Sequence, residues 1–202
     1  MNPCYEFFNR PRDNEGLGTE LRSLPCEEIL SWEQLPASEH SPKPVQTDEL
    51  LYRQMLDPVH WNSQKHEFTP GAFTDIDSIG MSVNRIGYTS IENIYAHAID
   101  RVNHHNDTKP DKPRRQYMGC TVFRTDELRE CIYSSESGDE NLRLFGVFDT
   151  ASEKDKSHAD VFRLSGGQYD KAHKKRAKAL LFILGNQWLV NSLGVKVQAL
   201  EL

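Results

Sequence analysis

Four polar residues of this chain could form a catalytic site if the fold brings them together: Arg53, Ser82, His158 and Asp160. His158 and Asp160 are two residues apart in a predicted strand, so their side chains lie on the same face of it. A histidine beside a carboxylate can act as a general base or help to bind a metal ion. The pattern therefore predicts four candidate catalytic residues. The simpler alternative is that His158 forms only local hydrogen bonds at a strand edge.

An arginine on an early strand, then a serine on a later strand, then an acid resembles the order of site residues in the ADP-ribosyltransferase fold. Here these residues are Arg53, Ser82 and either Glu92 or Asp160. The resemblance implies that the arginine binds NAD phosphate and that the serine supports the site. The surrounding sequence, Gly-Met-Ser-Val-Asn, lacks the flanking serine or threonine of that family. It also lacks the last glycine of the G-x-S-x-G nucleophile turn, which argues against a serine hydrolase.

Further histidines could complete a metal site around His158 and Asp160. His97, His104 and His105 are candidates to supply additional nitrogen ligands. A divalent ion in such a site would support a metal-assisted hydrolase. Adjacent histidines are also common in loops without a metal, so we assign no residue as a metal ligand. The sequence contains no phosphate-binding loop, dinucleotide-binding fingerprint, H-E-x-x-H motif or zinc-finger spacing.

Basic residues crowd the start of the last predicted helix. Positive charge there opposes the helix dipole, at roughly a few tenths of a kcal/mol per residue. The preceding pair Gly166-Gly167 exposes backbone N–H groups that suit an anion. A phosphate, a nucleic acid or the acidic N-terminal segment could bind this surface, whereas the simplest interpretation is a solvated face. These candidate binding residues are Lys171, Lys174, Lys175, Arg176 and Lys178.

Acidic charge is concentrated in the N-terminal quarter of the chain. Residues 1–50 carry ten acidic and four basic residues, which accounts for the whole formal net charge of −6. A short helix opening at Pro25 and ending before Pro36 is predicted there, and residues 36–47 are typical of a linker. Trp32 on this helix is a candidate binding residue. The helix either packs on its own domain or docks onto a partner.

Hydrophobic periodicity predicts an α+β fold: a single mixed domain with a short sheet packed by two main helices, plus an extended N-terminal segment. The proposed division is residues 1–47 for the N-terminal segment and residues 48–202 for the globular domain. Ser90 is the predicted N-cap of the first main helix. The elements vary in length and show no regular βαβ alternation, which disfavours a doubly wound sheet. The predicted main helices are 91–102 and 171–193, and a further short helix is predicted over about 125–131. The predicted strands are 80–83, 116–123, 142–148, 158–164 and 195–202.

The central stretch from Leu50 to Tyr88 resembles a family of small uncharacterised bacterial proteins. The resemblance covers roughly residues 50–185 and implies a bacterial origin but no particular activity. The matching residues are Leu51 to Gln54, Pro58, Ala72, Phe73, Asp77, Ser82 to Arg85 and His158 to Asp160.

The remaining features favour a cytoplasmic protein without membrane contact. The four cysteines have no C-x-x-C spacing and are typical of reduced thiols. No apolar run approaches the ~20 residues of a membrane helix, and no secretory signal is visible. Because no catalytic motif is complete, the leading hypothesis is a protein–protein interaction subunit of a bacterial cytoplasmic system. One alternative is an enzyme that uses NAD or a metal ion, and the sequence indicates no other cofactor. A second alternative is nucleic-acid binding through the basic helix, which the acidic N-terminal segment disfavours.

Overall fold

The computed structural model describes residues 2–10, 16–134, 141–164, 170–187, 189–190 and 196–198. The described helices are α1 (Pro3–Asn9), α2 (Leu17–Arg22), α3 (Cys26–Trp32), α4 (Ile91–Thr108), α5 (Thr125–Glu130) and α6 (Asp170–Gln187). The described strands are β1 (Leu50–Asp57), β2 (Trp61–Asn62), β3 (Glu67–Phe68), β4 (Met81–Arg85), β5 (Gln116–Arg124), β6 (Ile132–Ser134), β7 (Asn141–Arg143), β8 (Phe145–Phe148), β9 (His158–Arg163), β10 (Leu189–Val190) and β11 (Lys196–Gln198).

The strands form one antiparallel sheet in the order β11-β10-β5-β1-β4-β9-β8. Two small hairpins, β2-β3 and β6-β7, lie outside it. The two longest helices, α4 and α6, are the predicted main helices, so the α+β prediction is confirmed. Within the described residues, no helix has the length and apolar character needed to cross a membrane.

One face of the sheet carries the main apolar core. Alternate residues of a strand point to the same face, and Leu51, Met55, Val83 and Val161 are all buried there. Helix α6 covers this face through Ala177 and other apolar residues of its buried side. Because the side chains are close-packed apolar groups, this core supplies most of the hydrophobic stabilisation of the domain.

The opposite face of the sheet is covered at both ends and polar in the middle. Helix α4, capped by Ser90 as predicted, packs on β5 through Ile94, Ala98 and Val102. The helices α1–α3 pack on β8 and β9, where Phe148 belongs to their apolar cluster. The uncovered middle of this face is where β4 and β9 present their polar side chains.

The N-terminal segment is part of the domain. Trp32 is only 4% exposed, and its ring centroid lies 5.2 Å from that of Phe7. The carboxylate of Glu33 accepts hydrogen bonds from Arg143 at 2.8 Å and from the backbone N–H of Val147 at 2.6 Å. The ring of Trp32 packs in the protein's own core, and its role as a binding residue stays a prediction. Of the two alternatives for this helix, the structure has the one that packs on its own domain.

The ends of the two main helices differ from their predicted bounds. Helix α4 continues to Thr108, six residues beyond Val102, so that His104 and His105 are helical. Helix α6 ends at Gln187, and residues 189–190 form a strand that pairs with β5. The last predicted residues of that helix, 191–193, and most of the predicted terminal strand lie outside the described residues, apart from β11.

Candidate functional site

The pairing between β1 and β4 ends early and leaves a gap in the sheet. The two strands pair only at Leu51 with Arg85 and at Tyr52 with Asn84. Strand β1 nevertheless continues to pair with β5 as far as Asp57, and β4 pairs with β9 from Met81. A separation of two strands leaves backbone groups without their ladder partners, and these groups need other hydrogen bonds.

The guanidinium of Arg53 occupies the gap. Its Nη1 donates to the backbone carbonyl of Ser82 at 3.1 Å, and its Nη2 forms an ion pair with the carboxylate of Asp75. The same Nη2 lies 3.4 Å from Nε2 of His60. Burial raises the pKa of Asp75, and the neighbouring Arg53 acts in the opposite direction. The arginine therefore ties the separated strands together, and its charge is balanced by Asp75.

Gly80 sets the start of β4 and hence the position of Ser82. Its φ is +92°, a conformation that side chains other than glycine rarely adopt. An added Cβ would lie 2.6 Å from the ring of Phe162 on the neighbouring strand. Only glycine lets β4 approach β9 closely at this point.

His158, Thr150 and Asp160 form a hydrogen-bonded group next to the gap. In the β4–β9 register Asn84 opposes His158 and Ser82 opposes Asp160, so these side chains share one face. Nδ1 of His158 lies 3.2 Å from the carbonyl oxygen and 3.0 Å from Oγ1 of Thr150. The Thr150 hydroxyl in turn donates to Oδ2 of Asp160 at 2.7 Å.

This arrangement defines the tautomer of neutral His158. A proton on Nδ1 satisfies the Thr150 oxygens, which leaves the lone pair on Nε2. Nε2 lies 3.8 Å from Oδ1 of Asp160, and the two side chains are 29% and 11% exposed. The carboxylate therefore lies beside the ring nitrogen that is free to accept a proton. The group has the geometry of a general base held by a hydroxyl and a carboxylate.

Two cavities on this face share Ser82 as a lining residue. The smaller, of about 130 Å³, contains Arg53, Gln54, Asn84 and His158 on its sheet side and Arg101 on its α4 side. The larger, of about 490 Å³, extends past Asp160 to the N-terminal helices. The smaller cavity cannot enclose a whole dinucleotide, because sites for such ligands are typically about 300–1,000 Å³. It has room for a small molecule or for one group of a larger one.

The positive charge around the smaller cavity affects His60. Burial, followed by the charges of Arg53, Arg115 and Arg101, lowers the pKa of His60 to about 3. Nη1 of Arg101 lies 3.5 Å from Oε1 of Gln54. Among the residues that the structure describes, Arg101 forms no ion pair. His60 is therefore neutral and lies between arginines. Of these arginines, only Arg53 has an acidic partner among the described residues.

The structure brings together most of the predicted catalytic residues. Arg53, Ser82 and His158 line the smaller cavity, and Asp160 lines the larger one. The alternative acid Glu92 is exposed in the first turn of α4, where Ser90 is its hydrogen-bond partner, and it lines neither cavity. Polar residues at strand positions, such as Asn84, are a sequence signal for this site. No comparable signal identifies Thr150, which follows a strand.

The predicted metal set does not assemble. His97 lines the smaller cavity, but His104 and His105 lie farther along α4 and line neither of the two cavities. In the described part of the chain, no group of three or more histidine, cysteine, aspartate or glutamate side chains could hold a metal ion. The metal-assisted alternative therefore lacks a ligand set within these residues.

The basic helix is partly neutralised by the domain itself. Nζ of Lys174 lies 3.0 Å and Nζ of Lys178 lies 4.0 Å from Oδ2 of Asp77, which Arg163 also contacts. Burial opposes ionisation of Asp77, yet its hydrogen bonds with Arg163 and Lys174 lower its pKa. Among the described residues, Lys171, Lys175 and Arg176 are exposed and form no ion pair. The predicted basic surface therefore has two parts. Lys174 and Lys178 lie near Asp77, whereas Lys171, Lys175 and Arg176 are exposed.

The fold and the site together define an α+β protein with a polar cleft on one face of an antiparallel sheet. No protein-family model, curated protein or solved structure matches the chain. The resemblance to a family of small bacterial proteins therefore stays a prediction.

Proposed function

We propose that the protein is an enzyme that uses His158 as a general base on a small molecule bound in the polar cleft. The observation that carries the proposal is that β1, β4 and β9 each contribute polar side chains to the same part of the sheet. Arg53 comes from β1, Ser82 from β4, and His158 and Asp160 from β9. Arg53 and His158 line the smaller cavity, Asp160 lines the larger one, and Ser82 lines both. Polar side chains are costly to collect on a sheet face unless they are hydrogen-bonded or used. Functional sites are where such groups cluster.

The proposed step is a proton transfer to His158. Nε2 accepts a proton from the substrate, and the bonding electron pair stays on the substrate atom that loses it. The imidazolium formed keeps its Nδ1–H directed to Thr150 and lies 3.8 Å from the carboxylate of Asp160. Asp160 thus stabilises the charge that develops on the base, which is how a positioned acid–base residue gains its rate advantage. Ser82 borders both cavities and so contacts the bound molecule.

The test compares the turnover of a bacterial metabolite mixture by wild type, His158→Gln and His104→Gln, followed by mass spectrometry. His104 is exposed on α4 and lines neither cavity, so its replacement is the matched control. We expect wild type and His104→Gln to deplete the same compound. The His158→Gln variant should be slower by about 10²–10⁴-fold, which is the usual contribution of a general base. If no compound is consumed faster by wild type than by His158→Gln, the proposal is wrong.

A second candidate function is contact with an acidic protein partner in a bacterial cytoplasm. The exposed side chains of Lys171, Lys175 and Arg176 favour it, because their charge is not balanced by the described residues. A variant with all three changed to Glu should lose a stoichiometric partner that wild type retains. The control changes the exposed loop residues Lys154 and Lys156 to Glu. If binding is lost steeply with salt and the partner is a nucleic acid, the nucleic-acid alternative replaces this candidate.

A further inference from the structure

We infer that the loop between α4 and β5 binds single-stranded nucleic acid, with phosphates on its cationic side chains and a base on the ring of Tyr95. The loop comprises residues 109–115, and it borders two further cavities that share no lining residue with the polar cleft. It lies on the same side of the sheet as α4, whereas the basic helix α6 covers the opposite face. The inference is therefore independent of the proposed enzymatic activity and of the surface on α6.

One of these two cavities, the loop cavity, carries only positive side-chain charges among the described residues. Its volume is about 330 Å³, and none of the described residues that line it is acidic. Its basic residues are Lys109, Lys112 and Arg115, and Pro58 and Val59 form its apolar side. Asp107 and Asp111 are exposed and near in sequence, but they do not line it. Phosphate groups can therefore approach these three cations without meeting a carboxylate in the cavity.

The other cavity, the tyrosine cavity, combines cations with an aromatic ring. Its volume is about 600 Å³, and it is lined by Tyr95, Arg114 and Arg115, with Asp57 as its one acidic residue among those described. Tyr95 is 41% exposed, and its ring centroid lies 5.7 Å from that of Tyr117. An aromatic ring in a cationic groove suits a single strand, because every base has a flat face that can stack on the ring. The carboxylates of an acidic peptide would use the cations but not the ring, so the cavity favours nucleic acid.

The backbone of the loop is held in place by hydrogen bonds. Oδ1 of Asn106 accepts from the N–H of Arg115 at 2.8 Å, and Nδ2 of Asn106 donates to the carbonyl oxygen of Arg115 at 3.0 Å. The N–H of Lys112 donates to the carbonyl oxygen of Lys109 at 3.0 Å, and two prolines restrict the loop further. The cationic side chains therefore project from a preorganised backbone, which reduces the cost of binding.

The helices of the acidic N-terminal segment lie at the other end of the sheet. They pack on β8 and β9, whereas the loop leads into β5. Four strand spacings separate β5 from β8 in the sheet, which is about 19 Å at about 4.8 Å each. The Debye length at physiological salt is about 8 Å, so most of the repulsion between these helices and a strand bound at the loop is screened.

The experiment measures the binding of a fluorescently labelled oligothymidine to the full chain by anisotropy. An oligomer of about 12 nucleotides is suitable, since single-strand-binding folds cover about 4–16 nucleotides. The two cavities supply four cations in all, two lysines and two arginines. Because each phosphate contact on a single strand contributes about 0.7, we expect a slope of log K against log salt of about −3. No binding by wild type overturns the inference.

The double variant Lys109→Gln/Lys112→Gln removes two exposed cations of the loop cavity. We expect its salt slope to be smaller by about 1.4 and its binding at physiological salt to be about tenfold weaker. The matched control is Lys171→Gln/Lys175→Gln, which makes the same change of charge at exposed positions of α6 and should bind as wild type does. Wild-type binding by the loop variant, or a comparable loss in the control, overturns the inference.

The variants Tyr95→Ala and Tyr95→Phe test the stacking of a base. We expect Tyr95→Ala to bind about tenfold more weakly because it loses one stacked base, and Tyr95→Phe to bind as wild type does. Tyr5→Ala, at another exposed tyrosine, is the control and should leave binding unchanged. Unchanged binding by Tyr95→Ala, or binding of labelled poly-glutamate as tight as that of the oligothymidine, overturns the inference. The loop variant decides the matter if Tyr95→Ala alters the fold, since its substitutions are at the surface.

Discussion

The buried side chain of Arg85 holds distant parts of the chain together. Arg85 is fully buried and binds the carboxylates of Glu49 and Asp149 as well as the backbone carbonyl of Lys43 at 2.8 Å. Replacing Arg85 by Met leaves two carboxylates uncompensated inside the protein. We expect the free energy of unfolding to fall by about 3–5 kcal/mol in urea titrations, the usual cost of breaking a buried ion pair.

The control at this scale is Arg124→Met, because the ion pairs of Arg124 with Asp126 and Glu127 lie at the surface. Its expected loss is about 1 kcal/mol or less. Equal stability losses in the two variants would show that Arg85 is not the central ion-pairing residue of the fold.

At the scale of elements, the N-terminal helices act as a cover for one end of the sheet. Trp32 lies in a cluster with Phe7, Phe148 and Phe162, and each of these residues is at most 7% exposed. Replacing Trp32 by Ala should lower the free energy of unfolding by about 3–5 kcal/mol, because a large aromatic side chain leaves a cavity. Urea unfolding followed by circular dichroism measures this change. A Trp32→Ala variant with wild-type stability would show that the cluster around Trp32 does not hold these helices on the sheet.

The matched control for Trp32 is Tyr5→Ala on α1, since Tyr5 is 36% exposed. Surface substitutions of this kind usually change stability by about 0.5 kcal/mol or less. A comparable loss in both variants would mean that the segment is stabilised through α1 and not through the buried cluster.

At the scale of the whole molecule, ion pairs make stability depend on pH. Burial opposes ionisation of Glu49 and Asp77, but Arg85 lowers the pKa of Glu49, and Arg163 with Lys174 lowers that of Asp77. A carboxyl whose pKa is lower in the folded state adds stability above its unfolded pKa, which is about 4. That stability is lost as the pH falls through the folded pKa. We expect the free energy of unfolding to decrease below about pH 4.

Urea titrations between about pH 3 and pH 7 test this dependence. Asp77→Asn removes one of the two carboxyl groups. As the pH falls, the free energy of unfolding of this variant should therefore decrease less steeply than that of wild type, by up to about 1.4 kcal/mol per pH unit. Asp111→Asn, in an exposed loop, serves as the control and should follow wild type. Asp75, whose pKa burial raises, contributes in the opposite direction and moderates the total effect.

Local patterns predicted much of the fold. The apolar spacing of Ile94, Ala98 and Val102 indicated α4, and Ser90 indicated its start. Alternation and β-branched residues indicated β4, β5 and β9, and the predicted terminal strand covers β11. The strands β2, β3 and β10 have two residues each, which is too few for such a pattern. The two-residue spacing of His158 and Asp160 correctly placed both side chains on one face.

The sequence by itself determined the properties that depend on neighbouring residues along the chain: the elements, their apolar sides and the residue types capable of chemistry. Four features could be seen only in the tertiary structure. They are the gap between β1 and β4, the contact of Thr150 with His158, the burial of Trp32 and the ion pair between Lys174 and Asp77. Three of these join segments far apart in sequence, whereas Thr150 lies only eight residues before His158. The free energy of all four comes from packing and hydrogen bonds that exist only after the sheet has formed. Local propensities are the same whether or not β1 and β4 separate, so the site itself arises from the long-range pairing of the strands.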